Sequence, residues 1–211
     1  MKRISILFLL TLFMSMMGIN AFAYDIRVEN ADGATIYYNY INDKKELEVT
    51  YYDNHSKYSK SATTYVGDVV IPEEVTYYNE TRKVTSIGYC AFMNCTSLTS
   101  VTIPNGVKAI GEAAFKWCTS LTSVTIPSSV KDIRSGAFWE CTSLTSITIP
   151  DGVKHIGERT FWCCKSLTSV TIPSSVTVIY DEAFRACSSL TSVTIPNSVK
   201  YILDGAFWDC I

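Results

Sequence analysis

The chain has 211 residues, 18 basic and 20 acidic, for a formal net charge of −2, and 47% of it is hydrophobic. That balance gives no electrostatic reason to expect nucleic acid or an anionic membrane as partner, and the apolar content excludes a disordered chain. It suffices for one cored domain or a short repeat array.

Residues 1–23 read as an export signal. Lys2 and Arg3 precede the uncharged run ILFLLTLFMSMMGI, and Ala21-Phe22-Ala23 fits a small-x-small cleavage site, which makes Tyr24 the mature N-terminus. The run is short for an uncleaved membrane anchor. The mature protein is therefore expected to be exported, to the extracellular space or cell surface, with the periplasm as the other compartment.

Residues 24–66 do not repeat. ATIYYNYI and ELEVTYY are strand-like runs around Asn42-Asp43-Lys44-Lys45. They predict an N-terminal β-hairpin cap over a repeat array. The alternative is a separate binding module on Tyr37, Tyr38, Tyr51 and Tyr52.

Residues 67–211 repeat. TSLTSVTIP stands at 96–104 and 119–127, with close variants at 142–150, 165–173 and 188–196. Cys95, Cys118, Cys141, Cys164, Cys187 and Cys210 recur every 23 residues, as do Phe92, Phe115, Phe138, Phe161, Phe184 and Phe207. That period with Leu98-x-x-Val101-x-Ile103 is a leucine-rich-repeat pattern. Val101 and Ile103 alternate with Ser100 and Thr102, as a strand does. Pro104 has no N–H to donate and ends it, and Asn105-Gly106 turn the chain. Val107 and Ile110 point back inward, and Gly111–Phe115 is predicted as a single helical turn on the far side. The predicted fold is an α/β solenoid: a stack of about six 23-residue rungs, the last incomplete, with a parallel β-sheet face and short helical turns opposite. No rung buries enough to fold alone, so each must cover the next. Pro72 and Pro104 are 32 apart. The first rung thus carries a nine-residue insertion, predicted as a hairpin around Tyr77-Tyr78-Asn79-Glu80.

The unit LTSVTIPxxVxxIGxxAFxxC resembles the BspA-like leucine-rich repeat family. The resemblance implies a secreted or surface protein of a host-associated bacterium or protist parasite. It also implies adhesion to host surfaces, matrix proteins or other cells.

The residues themselves point to recognition, not catalysis. His55 and His155 are the two histidines, and neither has neighbours that would make a reactive constellation. No enzyme activity, cofactor or metal is expected. The six-cysteine column predicts a row of buried free thiols, with stacked disulfides and metal binding as alternatives. Cys90 and Cys163 lie outside the column and are expected to be more exposed and reactive. Ser100/Thr102, Ser123/Thr125, Ser146/Thr148, Ser169/Thr171 and Ser192/Thr194 form two rows on the exposed strand face. They read as a flat hydroxyl-rich docking face, or as a plain solvated sheet. Trp139 and Trp162 sit on adjacent rungs in one column with Trp208. They could stack on a glycan, anchor a protein, or pack between turns.

The expected partner is a host surface or matrix protein, with a glycan second and no nucleic acid. Self-association through the C-terminal rung, whose strand Leu190–Ile195 has an open flank, would suit a passive envelope role. Six rungs at ~4.8 Å span about 24 Å, so one copy offers far less than the ~800 Å2 per partner of a standard interface. Binding is expected to be weak without multivalency.

Overall fold

The computed structural model describes residues 24–51 and 65–210. The export signal, Tyr52 and His55 lie outside the described residues.

The cap is an antiparallel meander of β1 (Ile26–Glu29), β2 (Thr35–Ile41) and β3 (Glu46–Thr50). Its predicted hairpin is β2–β3, turning through Asn42, Asp43 and Lys44 at φ of 49, 55 and 65°. The first rung opens with β4 (Gly67–Val70). It then carries the predicted insertion as the hairpin of β5 (Glu74–Tyr77) and β6 (Glu80–Ile87). Tyr78 and Asn79 form its tip at φ of 50 and 62°, the left-handed pair that a two-residue hairpin turn requires.

The remaining strands alternate between two sides of the stack. On the first lie β7 (Leu98–Thr102), β9 (Ser123–Thr125), β11 (Ser146–Thr148) and β13 (Ser169–Thr171). On the second lie the two-residue strands β8 (Ala109–Ile110), β10 (Asp132–Ile133), β12 (His155–Ile156), β14 (Val178–Ile179) and β15 (Tyr201–Ile202). The first ladder is β4-β7-β9 followed by β11-β13, all parallel, with register steps of one repeat such as Ser100 to Ser123. The second runs β3-β6-β8-β10 and then β12-β14-β15. The cap therefore enters the stack: β3 pairs parallel with β6, as Glu48 to Ser86 and Val49 to Ile87. A plain lid would have left that sheet edge unpaired.

The third side corrects the predicted helical turns: the described residues contain no helix. Phe115 and Trp117 donate their N–H groups to Ala137 and Trp139 of the next rung, at 2.7 and 2.8 Å. Between them, Lys116 donates back to Ala113 at 3.1 Å. Every second N–H thus leaves the rung, which an α-helix cannot allow, because its N–H groups all point along one axis within the segment. The backbone reaches this pattern by placing two residues per rung in the left-handed region. One column is Cys90, Ala113, Gly136, Arg159, Glu182 and Gly205; the other is Asn94, Trp117, Glu140, Cys163, Ala186 and Asp209. A Cβ there costs roughly 1 kcal/mol, and only two of these twelve positions are glycine. Ala113→Gly is therefore expected to stabilise the fold by about 0.5 kcal/mol, the relief of strain exceeding the added chain entropy. A urea midpoint that falls would show that this column is not strained.

Inside the three sides runs a stack of rings. Phe92, Phe115, Phe138, Phe161, Phe184 and Phe207 lie 4.9 to 5.5 Å apart, centroid to centroid, with planes within 5 to 11° of parallel. Tyr65 closes the cap end, 4.5 Å from Phe92, and its buried hydroxyl donates to the Thr50 carbonyl at 2.9 Å. Beside the rings run the column cysteines, all free thiols. They are more than apolar filler. Each of Cys118, Cys141, Cys164, Cys187 and Cys210 points its Sγ at the carbonyl of the phenylalanine one rung back, at 3.0 to 3.2 Å. Cysteine fits because it is small, apolar and still a weak donor. The two outlying cysteines are more exposed than Cys95 to Cys187 of the column, as expected, but the structure gives no support to their being reactive. Cys90 is buried and Cys163 half-buried, and burial pushes both thiols above their ordinary value, which lowers the thiolate fraction that reactivity needs.

Candidate recognition surfaces

On the first ladder Leu98, Val101 and Ile103 point inward, each under 5% exposed. Two residues separate Leu98 from Val101, so two consecutive side chains face out. A third outward column therefore accompanies the two predicted ones: Thr99, Thr122, Thr145, Thr168 and Thr191, all exposed. The x-x of the repeat was the signal for it. Its hydroxyls partly serve the ladder, since Thr122 and Thr168 donate to the carbonyls of Thr99 and Thr145 at 3.1 Å.

The predicted columns divide. Ser100 is half-buried and donates to Asp68 Oδ1 at 2.7 Å, which Thr99 also reaches at 2.8 Å. These bonds hold the Asp68 carboxyl below its ordinary value. Thr102, Ser123, Thr125, Ser146, Thr148, Ser169, Thr171, Ser192 and Thr194 are exposed. The face is hydroxylated and uncharged except for Asp68 at its cap end.

Trp139 and Trp162 do meet, edge to face with centroids 4.8 Å apart. Both are half-buried. Lys116 Nζ lies 3.5 Å from the Trp139 centroid, and Trp139 Nε1 donates to Glu140 at 3.0 Å. The Trp162 indole nitrogen is buried with no acceptor. Their exposed relative is Trp208, 60% accessible, with Arg185 over its ring at 4.4 Å. The column is thus laced with cations, and it is bordered by ion pairs of Glu182 with Arg159 and Arg185. These contacts occupy ring surface that a sugar would need.

Two of the four tyrosines that suggested a separate module belong to the core: Tyr37 and Tyr38 are 8% and 1% exposed. Tyr51 is half-buried. At the tip of the first rung's insertion the exposed Tyr78 packs 4.5 Å from Tyr77. His155 stands against Tyr180 with centroids 5.7 Å apart. No group of three His, Cys, Asp or Glu among the described residues is placed to hold a metal ion. No helix among them is long and apolar enough to cross a membrane.

A parallel stack of 23-residue rungs around one continuous core defines a leucine-rich-repeat solenoid. The chain belongs to the BspA type leucine rich repeat family, whose pattern matches residues 85–211 in six copies. Among solved structures it is similar to a leucine-rich repeat protein from Bacteroides ovatus, with 31% identity, TM-score 0.64, and coverage of 88% of this chain and 51% of that one. It is also similar to a leucine rich cell surface protein from Faecalibacterium prausnitzii, with 30% identity, TM-score 0.65, and coverage of 88% and 52%. A leucine rich repeat protein from Treponema pallidum matches at 29% identity and TM-score 0.65, over 79% and 78%. The chain spans about half the length of the first two. No curated protein matches it.

Proposed function

We propose that this chain is an exported recognition protein that holds a protein partner, a host surface or matrix protein, against its strand face. The observation that carries the reading is the exposed hydroxyl array from Thr102 to Thr194. It is uncharged, and its columns from Thr102 to Thr171 stand on the parallel strand pairs β7-β9 and β11-β13, while Ser192 and Thr194 continue it on a rung that forms no strand, contrary to the strand expected over Leu190–Ile195. The similarity to a cell-surface protein of Faecalibacterium prausnitzii supports a surface location. Because the columns repeat, a partner can engage in several equivalent registers. The face therefore favours avidity over discrimination, and many copies acting together compensate for a small area.

The test uses residues 24–211 displayed on beads against a panel of extracellular-matrix proteins. Replacing Ser123, Thr125, Ser146 and Thr148 by Lys places four charges on the face without touching the core. Binding is expected to fall at least about tenfold in the variant, as uncompensated charge in a docked face does. Binding that persists in the variant would put the partner elsewhere.

A further inference from the structure

The second ladder is where the rungs stop being alike. Its outward column reads Ala109, Asp132, His155, Val178 and Tyr201. The next column reads Gly88, Gly111, Arg134, Gly157, Tyr180 and Leu203. A surface that discriminates one ligand needs such differences, which the uniform strand face lacks.

The backbone also departs from the repeat here. At the other rung-to-rung steps two bonds flank the paired strands. Lys131 and Arg134 donate to Lys108 and Ile110 at 2.9 and 3.0 Å, and Thr177 and Tyr180 donate to Lys154 and Ile156 at 2.9 Å each. Between β10 and β12 there is neither strand pairing nor either flanking bond. The first ladder breaks at the same step, between β9 and β11. The turn side stays joined, with Gly136 and Phe138 donating to Glu158 and Thr160 at 2.9 Å. The solenoid thus has a seam, closed along the turns and open on the second side.

At the open side lies a notch of about 350 Å3, walled by Arg134 and Tyr180 and rimmed by Glu112, Asp132, His155 and Glu158. Gly157 also lines it, between Arg134 one rung before and Tyr180 one rung after, and is packed so closely that a Cβ there would come within 3.2 Å of Ser135 N and Thr160 Oγ1. The backbone N–H of Gly157 and carbonyl of Ile133, bonded at the equivalent position of other steps, have no such bond here.

We infer that this notch binds a terminal uncharged sugar, a hexose or N-acetylhexosamine. Its size is at the low end of small-ligand sites. It offers donors and acceptors side by side, and each sugar hydroxyl is both. Tyr180 supplies an aromatic wall for the apolar face of the ring. Two of the three carboxylates already have partners: Asp132 bonds Arg134 at 3.1 Å and Glu158 bonds Arg159 at 3.1 Å. A neutral hydroxyl can bond to such pairs without breaking them. Three carboxylates against one guanidinium in the lining repel acidic sugars. This site is separate from the strand face and does not depend on it.

The test is retention of residues 24–211 on beads coated with conjugates of N-acetylglucosamine, N-acetylgalactosamine, galactose or mannose. Beads coated with sialic acid, glucuronic acid or oligolysine serve as charged counterparts. Arg134→Gly, His155→Ala and Tyr180→Gly each bring in a residue that the repeat already carries in that column, so the fold should tolerate them, and thermal midpoints check this. Retention on at least one neutral conjugate is expected. It should weaken about tenfold or more in Tyr180→Gly and His155→Ala, while the four-lysine strand-face variant should retain it. No retention on any neutral conjugate would overturn the assignment. So would equal retention by folded notch variants, or preference for the charged beads. Loss of matrix-protein binding in the lysine variant alone would bear on the strand face and leave the notch standing.

Discussion

Phe138→Ala is expected to cost about 4 kcal/mol, the usual range for emptying a buried phenylalanine site. Phe138 has no accessible surface. Its ring lies between Phe115 and Phe161 at 5.2 and 5.5 Å, so the vacancy cuts the stack in two. The site cannot collapse readily, because the flanking rungs are held at a fixed pitch by their turn-side bonds. It also lies next to the seam, where two of the three sides carry no strand pairing and the core must supply the cohesion. The same change at half-buried Phe207 should cost less than half as much. Urea unfolding of the two variants against the parent measures this. Equal losses at both sites would show that neither the depth of burial nor the nearby seam sets the cost.

Between pH 9 and 10 the protein is expected to lose stability steeply. Burial, reinforced by neighbouring thiols of the same column, holds Cys118, Cys141 and Cys164 well above their ordinary value of 9.0 and pushes Cys187 up to about 12. In the unfolded chain these thiols ionise near 9, while in the fold they keep their protons. Unfolding then releases protons, so stability is undiminished below pH 9 and falls as pH rises, for Cys187 until about 12. Four thiols at ~1.4 kcal/mol per pH unit each give a slope approaching 5 kcal/mol per unit. That is comparable with the whole stability of an ordinary domain, ~5–15 kcal/mol. Urea midpoints at pH 7.5, 9 and 10 under reducing conditions measure it. Replacing Cys164 and Cys187 by Ala should roughly halve the slope, and a flat profile would show that the column is not sealed from water in the folded state.

Both results depend on columns that could be seen in the unfolded string. Phe and Cys recur every 23 residues, and a residue that must meet its own copy one rung away can only be inside or on a ladder. The strand face followed from Leu98-x-x-Val101-x-Ile103, and its missed column from the two residues between Leu98 and Val101. The insertion hairpin was legible because Pro72 breaks the proline spacing and Tyr78-Asn79 sits at the only place where the excess can turn. The family was legible for the same reason: every column of the unit recurs.

What stayed illegible was decided between rungs. Gly111–Phe115 has ordinary helical composition, yet it forms turns, because the third side must hydrogen-bond to a neighbour one rung away. The cap's strand-like run Glu46–Thr50 carries no mark that it would pair parallel with Glu80–Ile87. The reactivity expected of Cys90 finds no support because, though its column varies in residue type, the side chain is buried and its thiol is raised by that burial. The seam between β10 and β12 and the notch at Gly157 have no local signature either, since Arg134, Gly157 and Tyr180 lie 23 residues apart and become neighbours only in the stack. The sequence by itself determined the repeat: its period, its inward and outward columns, and the place where it is interrupted. The tertiary structure alone decided where the backbone bonds between rungs are made and where they are not, because that balance depends on how every rung seats on the next.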